Sequence, residues 1–434
     1  MYNSKVQMYV EHKGINEGRV ELHSDLNNFF ASVACKKRPE LTLFPVAVCG
    51  SVKDRHGIVL AKNEKAKKYG VKTGDAIWQA KLCCPDLIVV EPNYDDYMYY
   101  SGMVRGIYCQ YSERVEPFGL DEAWIDLTGS RHIKTLSDGY EAANEIRNRV
   151  FEETGLTVSI GVSDNKVFSK LASDYKKPDA VTLFGPDNYL DTVAKMDVGE
   201  LLFVGRSSKA TLSDYGIRTI GQAAEAQESF MGSVLGKNGK RIHLDASGFD
   251  CSVVSRTGEV GEIKSIGNST TPCHDLNGID EVSAVFHSLS EKVAWRLRSA
   301  CLMCSEVSIS VRDTSLLTTE HQCAVVPTDN ALDIAKAAIR LFCDKYDVSV
   351  PVRSVGVRTS KLSGVNSAFQ ISLFDTETQK REKRRKLDEA VDGIRKKYGI
   401  GAVKRAVMCS EQMLDYRDFA FFRERHSVAN ARNF

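Results

Sequence analysis

The sequence has almost no net charge, because its 58 lysines and arginines nearly balance 57 aspartates and glutamates and leave +1 at pH 7. A protein that attracts nucleic acid through its overall charge is therefore excluded, and any such binding must use local basic patches. The sequence also lacks an apolar run long enough to cross a bilayer. Its opening residues, MYNSKVQMYVEHKG, lack the apolar segment of a secretory leader.

Twelve cysteines are present, but they do not form the spacing of a structural zinc site. Cys301 and Cys304 make a single C-x-x-C pair with no second pair, whereas structural zinc needs four ligands. We interpret this pair as core packing. Because no secretory leader is apparent, we expect reduced thiols in a soluble, cytoplasmic protein.

Two short β-type runs carry carboxylates, residues 19–34 (RVELHSDLNNFFASVA) with Asp25 and residues 115–127 (VEPFGLDEAWIDL) with Asp121 and Glu122. An acid at one strand end is usually only solvated. Three acids brought together by the fold would offer the oxygen ligands that suit Mg²⁺. Two such ions support phosphoryl or nucleotidyl transfer. Adjacent acids also repel each other, so a buried Asp-Glu pair requires a cation.

Asp25 is followed at once by an apolar helix start, Phe29-Phe30-Ala31-Ser32-Val33. This places the acid at a strand-to-helix turn, where free backbone N–H groups and the helix dipole favour an anionic phosphate. The aromatic ring five residues after the acid can lie against a bound sugar. The turn is therefore a candidate nucleotide site.

Three segments, in order, resemble the core motifs of bacterial Y-family (DinB/UmuC-type) translesion DNA polymerases: residues 24–34 (SDLNNFFASVA), 119–127 (GLDEAWIDL) and 159–178 (SIGVSDNKVFSKLASDYKKP). The resemblance covers about residues 20–362. It implies a DNA-directed polymerase of low fidelity that bypasses lesions in DNA repair and replication. Such an enzyme adds dNTPs to a primer 3′-hydroxyl and has no proofreading.

The length is too great for one typical domain. With the resemblance, it implies a multidomain α+β protein with a ferredoxin-like palm, small fingers, a helical thumb and a separate α+β little finger. The expected domains are the palm and fingers at 1–185 (fingers about 38–92), the thumb at 186–255, the little finger at 256–362 and a tail at 363–434.

Secondary-structure patterns beyond the motifs are less distinctive. Residues 94–114 predict one long tyrosine-rich helix. In the little finger, we expect the order strand-helix-strand-strand-helix-strand. Residues 264–270 open this region, strands follow at 307–311, 322–326 and 353–358, and helices lie at 281–299 and 330–345.

The resemblance implies that Asp25, Asp121 and Glu122 are the catalytic residues. Together with the backbone carbonyl of Leu26, they would hold two Mg²⁺ ions, with Mn²⁺ as an alternative. Asn27 stands where relatives often have an acid, so the site is one charge poorer.

Nucleotide contacts are implied at Asn28, Phe29 and Phe30, where the Phe30 ring would exclude a ribose 2′-hydroxyl. Lys177 matches a lysine that contacts the triphosphate. A solvated lysine before a proline is the alternative interpretation of Lys177.

The fingers of this family usually hold the triphosphate with a tyrosine and an arginine, and here the matching positions are Glu64 and Lys67. Lys67 neutralises phosphate as a point charge, without the bidentate fork of arginine. Glu64 cannot donate to phosphate. A solvated basic helix face remains the alternative.

Binding to primer–template DNA is expected from four basic residues of the little finger, through phosphates and without base readout. These residues are Lys264, Arg353, Arg358 and Lys361. After them, residues 370–374 (QISLF) resemble the peptide that binds the bacterial sliding clamp, with Gln370, Leu373 and Phe374 as its contacts. We expect a monomer that does not bind a membrane.

Two alternatives remain at this point. One is a DNA-binding or clamp-binding accessory protein with a decayed active site, suggested by Asn27, Glu64 and worn glycine turns in the thumb. The other is a different palm-type phosphoryl transferase, such as a nucleotidyl cyclase. The thumb, the little finger and the 370–374 peptide argue against the second.

Overall fold

The computed structural model describes residues 16, 18–51, 57–259, 261–365, 367, 377–399 and 402–406. The described residues contain twelve strands: β1 (Glu21–Leu26), β2 (Val46–Cys49), β3 (Val59–Lys62), β4 (Ile88–Val90), β5 (Val115–Pro117), β6 (Glu122–Asp126), β7 (Val158–Ser163), β8 (Val181–Leu183), β9 (Ser265–Thr270), β10 (Leu302–Asp313), β11 (Thr318–Thr328) and β12 (Val352–Gly364).

The same residues contain twelve α-helices: α1 (Phe29–Lys37), α2 (Glu64–Lys68), α3 (Ile77–Cys83), α4 (Tyr94–Tyr108), α5 (Leu136–Thr154), α6 (Lys166–Tyr175), α7 (Arg206–Asp214), α8 (Ile220–Glu225), α9 (Glu228–Ala246), α10 (Gly278–Ser299), α11 (Ala331–Lys345) and α12 (Glu377–Tyr398). None of these helices is long and apolar enough to span a membrane. The elements divide between two compact units, residues 1–50 with 58–260 and residues 51–57 with 261–434.

A five-stranded sheet in the order β5-β6-β1-β7-β8 forms the centre of the first unit. Its middle strand, β1, pairs antiparallel with both β6 and β7. Side chains from α4 and α5, such as Ile107 and Ile146, share one core with Leu22 and Ile125 of the sheet. This is the ferredoxin-like palm that the sequence predicts.

All six residues of β1 are buried, although four of them are polar or charged. Burial of such groups is tolerated only when each finds a partner. Ser24 Oγ lies 2.7 Å from the Tyr108 hydroxyl, and His23 Nδ1 lies 2.8 Å from Ser173 Oγ. The central strand is therefore fixed by specific polar contacts as well as by apolar packing.

Helix α6 packs unusually close to β7, because Gly161 has no side chain. A Cβ added at Gly161 would lie 1.9 Å from the Ser169 carbonyl oxygen and 2.4 Å from the Ser173 nitrogen. Only glycine allows this approach. It fixes the backbone of α6 relative to the sheet.

Helix α4 is shorter than the helix that the sequence predicts over 94–114, because it ends at Tyr108. The residues that follow leave the helix to join the sheet edge. Ser112 Oγ donates to the Asp126 carbonyl at 2.5 Å, and the Asp126 nitrogen donates to the Arg114 carbonyl at 3.1 Å. The chain turns at residues 109–111, which ends the helix before these contacts form.

The predicted fingers contain a three-stranded sheet in the order β3-β2-β4, with α2 and α3 around a small core. The Asn63 side chain fixes the start of α2: it accepts from the Ala66 and Val46 nitrogens and donates to the Phe44 carbonyl. A separate core joins α6 to the helices α7–α9 of the predicted thumb. Helix α9 is kinked at Gly236, where φ is 62°.

The second unit contains a four-stranded antiparallel sheet in the order β11-β10-β12-β9. Side chains of α10 and α11, such as Phe286 and Phe342, pack with Val307 and Val357 of the sheet. Strands β10, β11 and β12 run longer than predicted, and β9 lies in the segment 264–270 with which the predicted order begins. The multidomain α+β class is confirmed, whereas the four domain boundaries stay predictions.

Within the second unit, helix α12 packs on α10 through ion pairs. Arg298 binds the Asp392 carboxylate at 2.7 and 3.0 Å. Glu291 accepts from Arg395 Nη2 at 2.6 Å and from Arg405 Nε at 2.7 Å. The Glu291 side chain is only 6% exposed, so these charges are held mostly out of water.

Candidate active site

The three acids lie at the end of two neighbouring strands. Asp25 and Glu122 are direct partners in the antiparallel ladder of β1 and β6. The Leu26 nitrogen donates to the Asp121 carbonyl at 2.9 Å, which places Asp121 beside the same strand end. Gly119 allows the tight turn before them, with φ of 100°. The fold thus brings residues distant in sequence to one place.

Two lysines of the third motif point their ammonium groups at these acids. Lys177 Nζ lies 2.7 Å from Asp25 Oδ2, and Lys170 Nζ lies 2.9 Å from Glu122 Oε2 and 3.5 Å from Asp25 Oδ2. Asp174 binds both ammonium groups, at 3.2 Å from Lys170 and 2.5 Å from Lys177. Three carboxylates of the site therefore share two cations.

The carboxyl groups retain an excess of negative charge. Burial, followed by the charges of Asp25 and Glu122, raises the pKa of Asp121 to about 6. Burial also raises the pKa of Asp25, against the lowering effect of Lys177. Burial lowers the pKa of Lys170, but Glu122, Asp174 and Asp25 outweigh it and leave the pKa raised. A cluster with these properties favours additional cations.

Buried carboxylates that repel one another are hard oxygen donors of the kind Mg²⁺ and Mn²⁺ accept, so the residues present fit divalent ions. Within the described ranges, no three side chains of His, Cys, Asp or Glu converge on one point as metal ligands do. The Lys170 ammonium lies near the oxygens of both Asp25 and Glu122, at 3.5 and 2.9 Å.

His23 is a further contact of Glu122 that the sequence analysis missed. Its ring is fully buried, and Nε2 lies 3.3 Å from Glu122 Oε2. Burial lowers the pKa of His23 well below its usual range, which favours the neutral ring. Because Ser173 Oγ donates to the Lys170 carbonyl at 2.7 Å, it accepts from Nδ1 of a neutral His23 ring, and Nε2 would then face Glu122 without a proton.

The neutral Asn27 side chain is held by two hydroxyl groups. Its Oδ1 accepts from Ser159 Oγ at 2.8 Å, and its Nδ2 donates to Thr157 Oγ1 at 3.2 Å. The next residue, Asn28, has φ of 51°, a left-handed conformation that asparagine tolerates. It ends β1 and begins α1, whose first turn has no side-chain cap.

Phe29 and Phe30 have different surroundings. Phe29 is 3% exposed and belongs to the core, so its backbone rather than its ring is available to a ligand. Phe30 is half-buried and stacks on Tyr97, with ring centroids 4.0 Å apart and planes inclined by 6°. The stack fixes the Phe30 ring beside the strand-to-helix turn.

Glu64 and Lys67 lie on α2 in the predicted fingers. The Asn28 side-chain amide donates to Glu64 Oε1 at 2.9 Å, and Lys67 Nζ lies 3.6 Å from the same oxygen. The Lys67 side chain is half-exposed. Glu64 therefore links α2 to the strand-to-helix turn and also pairs with the basic residue of the predicted triphosphate grip.

Three of the four predicted DNA contacts, Arg353, Arg358 and Lys361, lie on β12 of the second unit, and Lys264 immediately precedes β9. Lys264 is exposed and Arg353 is half-buried. Arg358 pairs with Glu320 at 3.4 Å, and Lys361 with Glu306 at 2.7 Å. The peptide contacts Gln370, Leu373 and Phe374 lie outside the described residues.

Around Arg358, the sheet face opposite the core consists of small polar residues. Ser308 pairs with Arg358 across β10 and β12, Ser310 pairs with Gly356, and Gly267 of β9 also pairs with Arg358. Serines and glycines have small side chains or none, so another molecule can approach the backbone of this face closely.

Comparison with known proteins gives the same assignment over most of the chain. Two protein-family models match this chain. The model of the impB/mucB/samB family matches residues 24–174, and the model of that family's C-terminal domain matches residues 263–373. DNA polymerase IV of Acetivibrio thermocellus is 45% identical over 398 residues, which are 92% of this chain and 99% of that protein. DNA polymerase IV 1 of Bacillus subtilis is 34% identical over 91% of this chain and 94% of its own length.

Among solved structures, a Y-family DNA polymerase chimera superposes with a TM-score of 0.70 at 20% sequence identity, covering 79% of this chain and 98% of that one. This likeness supports the fold, and the sequence matches support the family. The chain belongs to the impB/mucB/samB family of Y-family, DinB/UmuC-type translesion DNA polymerases.

Proposed function

We propose that this translesion DNA polymerase performs nucleotidyl transfer at Asp25, Asp121 and Glu122. The observation that carries the proposal is the cross-strand pairing of Asp25 with Glu122 beside the Asp121 turn. With the Leu26 carbonyl, these acids would hold two Mg²⁺ or Mn²⁺ ions, which would activate the primer 3′-hydroxyl and neutralise the leaving pyrophosphate. The carboxylates keep their shared position because two adjacent strands hold them.

The incoming dNTP would bind along the strand-to-helix turn. The uncapped first turn of α1, at Asn28 and Phe29, offers backbone N–H groups to its phosphates. Lys177 and Lys67 would supply positive charge, and the Phe30 ring would lie against the sugar. In this arrangement, Lys177 transfers part of its interaction from Asp25 to the triphosphate.

DNA binding would use the small polar face of the second unit's sheet, with Lys264, Arg353, Arg358 and Lys361 as phosphate contacts. Arg358 and Lys361 would exchange their acidic partners for phosphates. These contacts carry no base readout, as a polymerase that moves along DNA requires.

We further propose that Gln370, Leu373 and Phe374 bind a sliding clamp, which would raise the local concentration of the enzyme at the primer end. A single chain carries every proposed site residue, so the enzyme would act as a monomer. Because its substrate would be chromosomal primer–template DNA, the enzyme would act in the bacterial cytoplasm.

Asp121→Asn tests the assignment, since it removes the charge and keeps the shape. We expect primer extension with Mg²⁺ to fall below about one part in 10³, with primer–template affinity within about twofold of wild type. Asp126→Asn, at the other end of β6, is the matched control and should extend normally. Extension by Asp121→Asn at the wild-type rate would end the assignment.

The same assay separates the alternatives. Nothing in the comparisons favours a decayed accessory protein, and robust extension by the wild type excludes it. Turnover of nucleotide without a primer would instead indicate a cyclase-like transferase.

A further inference from the structure

Lys170 occupies a position that neither the strand-to-helix turn nor the triphosphate contacts explain. Its ammonium lies within 3.5 Å of carboxylate oxygens from three different residues, Asp25, Glu122 and Asp174. Its side chain is only 13% exposed. A lysine this buried, between two acids that are proposed metal ligands, is a counter-ion inside the site.

We infer that Lys170 is a positioning residue that substitutes for a divalent ion, holding Asp25 and Glu122 together until a metal ion displaces its ammonium group toward Asp174. This inference rests on the proposed function, because it takes those two acids as metal ligands. It assigns Lys170 no contact with the substrate.

The first argument is the charge of the metal-free site. Asp25 and Glu122 face each other across the ladder, so like charges lie side by side in a buried position. Without a cation these charges would repel, and the strand ends would separate. The Lys170 ammonium reaches both carboxylates and removes that repulsion.

The second argument is the presence of an alternative partner. Asp174 lies four residues after Lys170 on α6, and its carboxylate is already 3.2 Å from the ammonium. An arriving metal ion would therefore leave Lys170 paired rather than isolated. Asp174 also binds Lys177 at 2.5 Å, so the same acid can hold both lysines away from Asp25.

The third argument is mechanical. The close approach of α6 to Gly161 fixes the helix backbone against β7. Only the flexible stem of Lys170 is then free to adjust, and a lysine ammonium on four methylene groups can rotate between neighbouring acids. No movement of strand or helix is required.

Two substitutions should change metal affinity in opposite directions. Lys170→Met removes the competing cation and keeps the apolar stem, so it should tighten Mn²⁺ binding and make the metal-free protein less stable. Asp174→Asn removes the alternative partner, which leaves Lys170 and Lys177 more strongly bound to the acids. It should weaken Mn²⁺ binding.

The experiment titrates the full-length protein, without DNA or nucleotide, with Mn²⁺ and counts free Mn²⁺ by electron paramagnetic resonance. Melting curves in EDTA and in Mg²⁺ accompany it. We expect the Mn²⁺ Kd of Lys170→Met to fall about 3- to 10-fold and that of Asp174→Asn to rise by a similar factor. Lys166→Met, one turn earlier and paired with Glu116 at 2.7 Å, is the control and should leave Kd unchanged.

In EDTA, Lys170→Met should melt at a lower temperature than wild type. Mg²⁺ should raise the melting temperature of Lys170→Met by more than it raises that of wild type. A Kd for Lys170→Met that is unchanged or higher overturns the inference. If that variant does not fold in EDTA, the Asp174→Asn titration decides, and a Kd equal to or below wild type overturns it. If Asp121→Asn binds Mn²⁺ with the Kd of wild type, that result would instead overturn the proposed function.

Discussion

The side-chain amide of Asn28 donates a hydrogen bond to Glu64, with nitrogen and oxygen 2.9 Å apart. This contact joins the turn after β1 to the first residue of α2. The family resemblance implies a phosphate-contacting tyrosine at the position of Glu64, whereas Glu64 accepts this hydrogen bond. It ties the predicted fingers to the predicted nucleotide site, and it adds a negative charge next to Lys67.

Glu64→Gln should therefore improve nucleotide binding. Glutamine can still accept from Asn28, but it removes the carboxylate that lies 3.6 Å from Lys67 Nζ. One charge removed near a triphosphate changes binding by about 1 kcal/mol. We expect the KM for dNTP to fall about 3- to 10-fold, with kcat little changed, in steady-state single-nucleotide incorporation. Glu40→Gln, an exposed acid in the same region, is the control, and a raised KM for Glu64→Gln would contradict the prediction.

Phe30→Ala should reduce discrimination against ribonucleotides, because the ring stacked on Tyr97 would no longer fill the space beside the sugar. Steric selection of this kind is about 10- to 200-fold. The ratio of kcat/KM for dNTP and rNTP measures it. Unchanged sugar selectivity would argue against the role of Phe30.

Tyr97→Ala should produce a smaller loss of sugar discrimination with Phe30 intact, because the support behind the ring is gone. Tyr97 is 2% exposed, whereas Tyr99 on the same helix is 63% exposed. Tyr99→Ala is therefore the matched control. Equal effects of the two tyrosine substitutions would show that the stack does not orient Phe30.

Gly161→Ala should destabilise the first unit severely. The added Cβ would overlap the Ser169 carbonyl and the Ser173 nitrogen, both backbone atoms that cannot rotate away. We expect a loss of about 3 kcal/mol or more in urea unfolding. Gly106→Ala in α4 has free space around its Cβ and should stabilise by about 0.5–1 kcal/mol. Similar stabilities of the two variants would be inconsistent with the close packing of α6.

Glu291→Gln should loosen the packing of α12 on α10 within the second unit. The substitution leaves Arg395 and Arg405 without their shared carboxylate, and breaking a buried pair costs about 3–5 kcal/mol. Amide hydrogen exchange in α12 should accelerate while the sheet core stays protected. Glu320→Gln removes the exposed Arg358 pair and should change neither region, because surface pairs contribute little.

The sequence was sufficient for the parts of the fold that have strong local signals. The acids at 25, 121 and 122 stand at the ends of two β-type runs, as the sequence predicts. The α+β class and the family followed from the same motifs.

Other features depend on contacts distant in sequence and were not predicted. The strands of the second unit extend beyond their predicted ends because they pair with one another, as β10 does with β12 from Leu302 to Asp313. Lys170 looks like a lysine on a solvated helix face until the fold turns it toward Glu122. One signal was available: a buried Asp-Glu pair requires a cation, and Lys170 with Asp174 has the spacing of an ion pair on a helix.

The facing positions of Asp25 and Glu122 also limit how the gene can vary. Side chains alternate between the two faces of a strand, so one residue inserted within β6, just after Glu122, would point Glu122 to the opposite face if the rest of β6 keeps its pairing with β1. A one-codon insertion at that point would inactivate the polymerase while leaving every catalytic residue in the sequence.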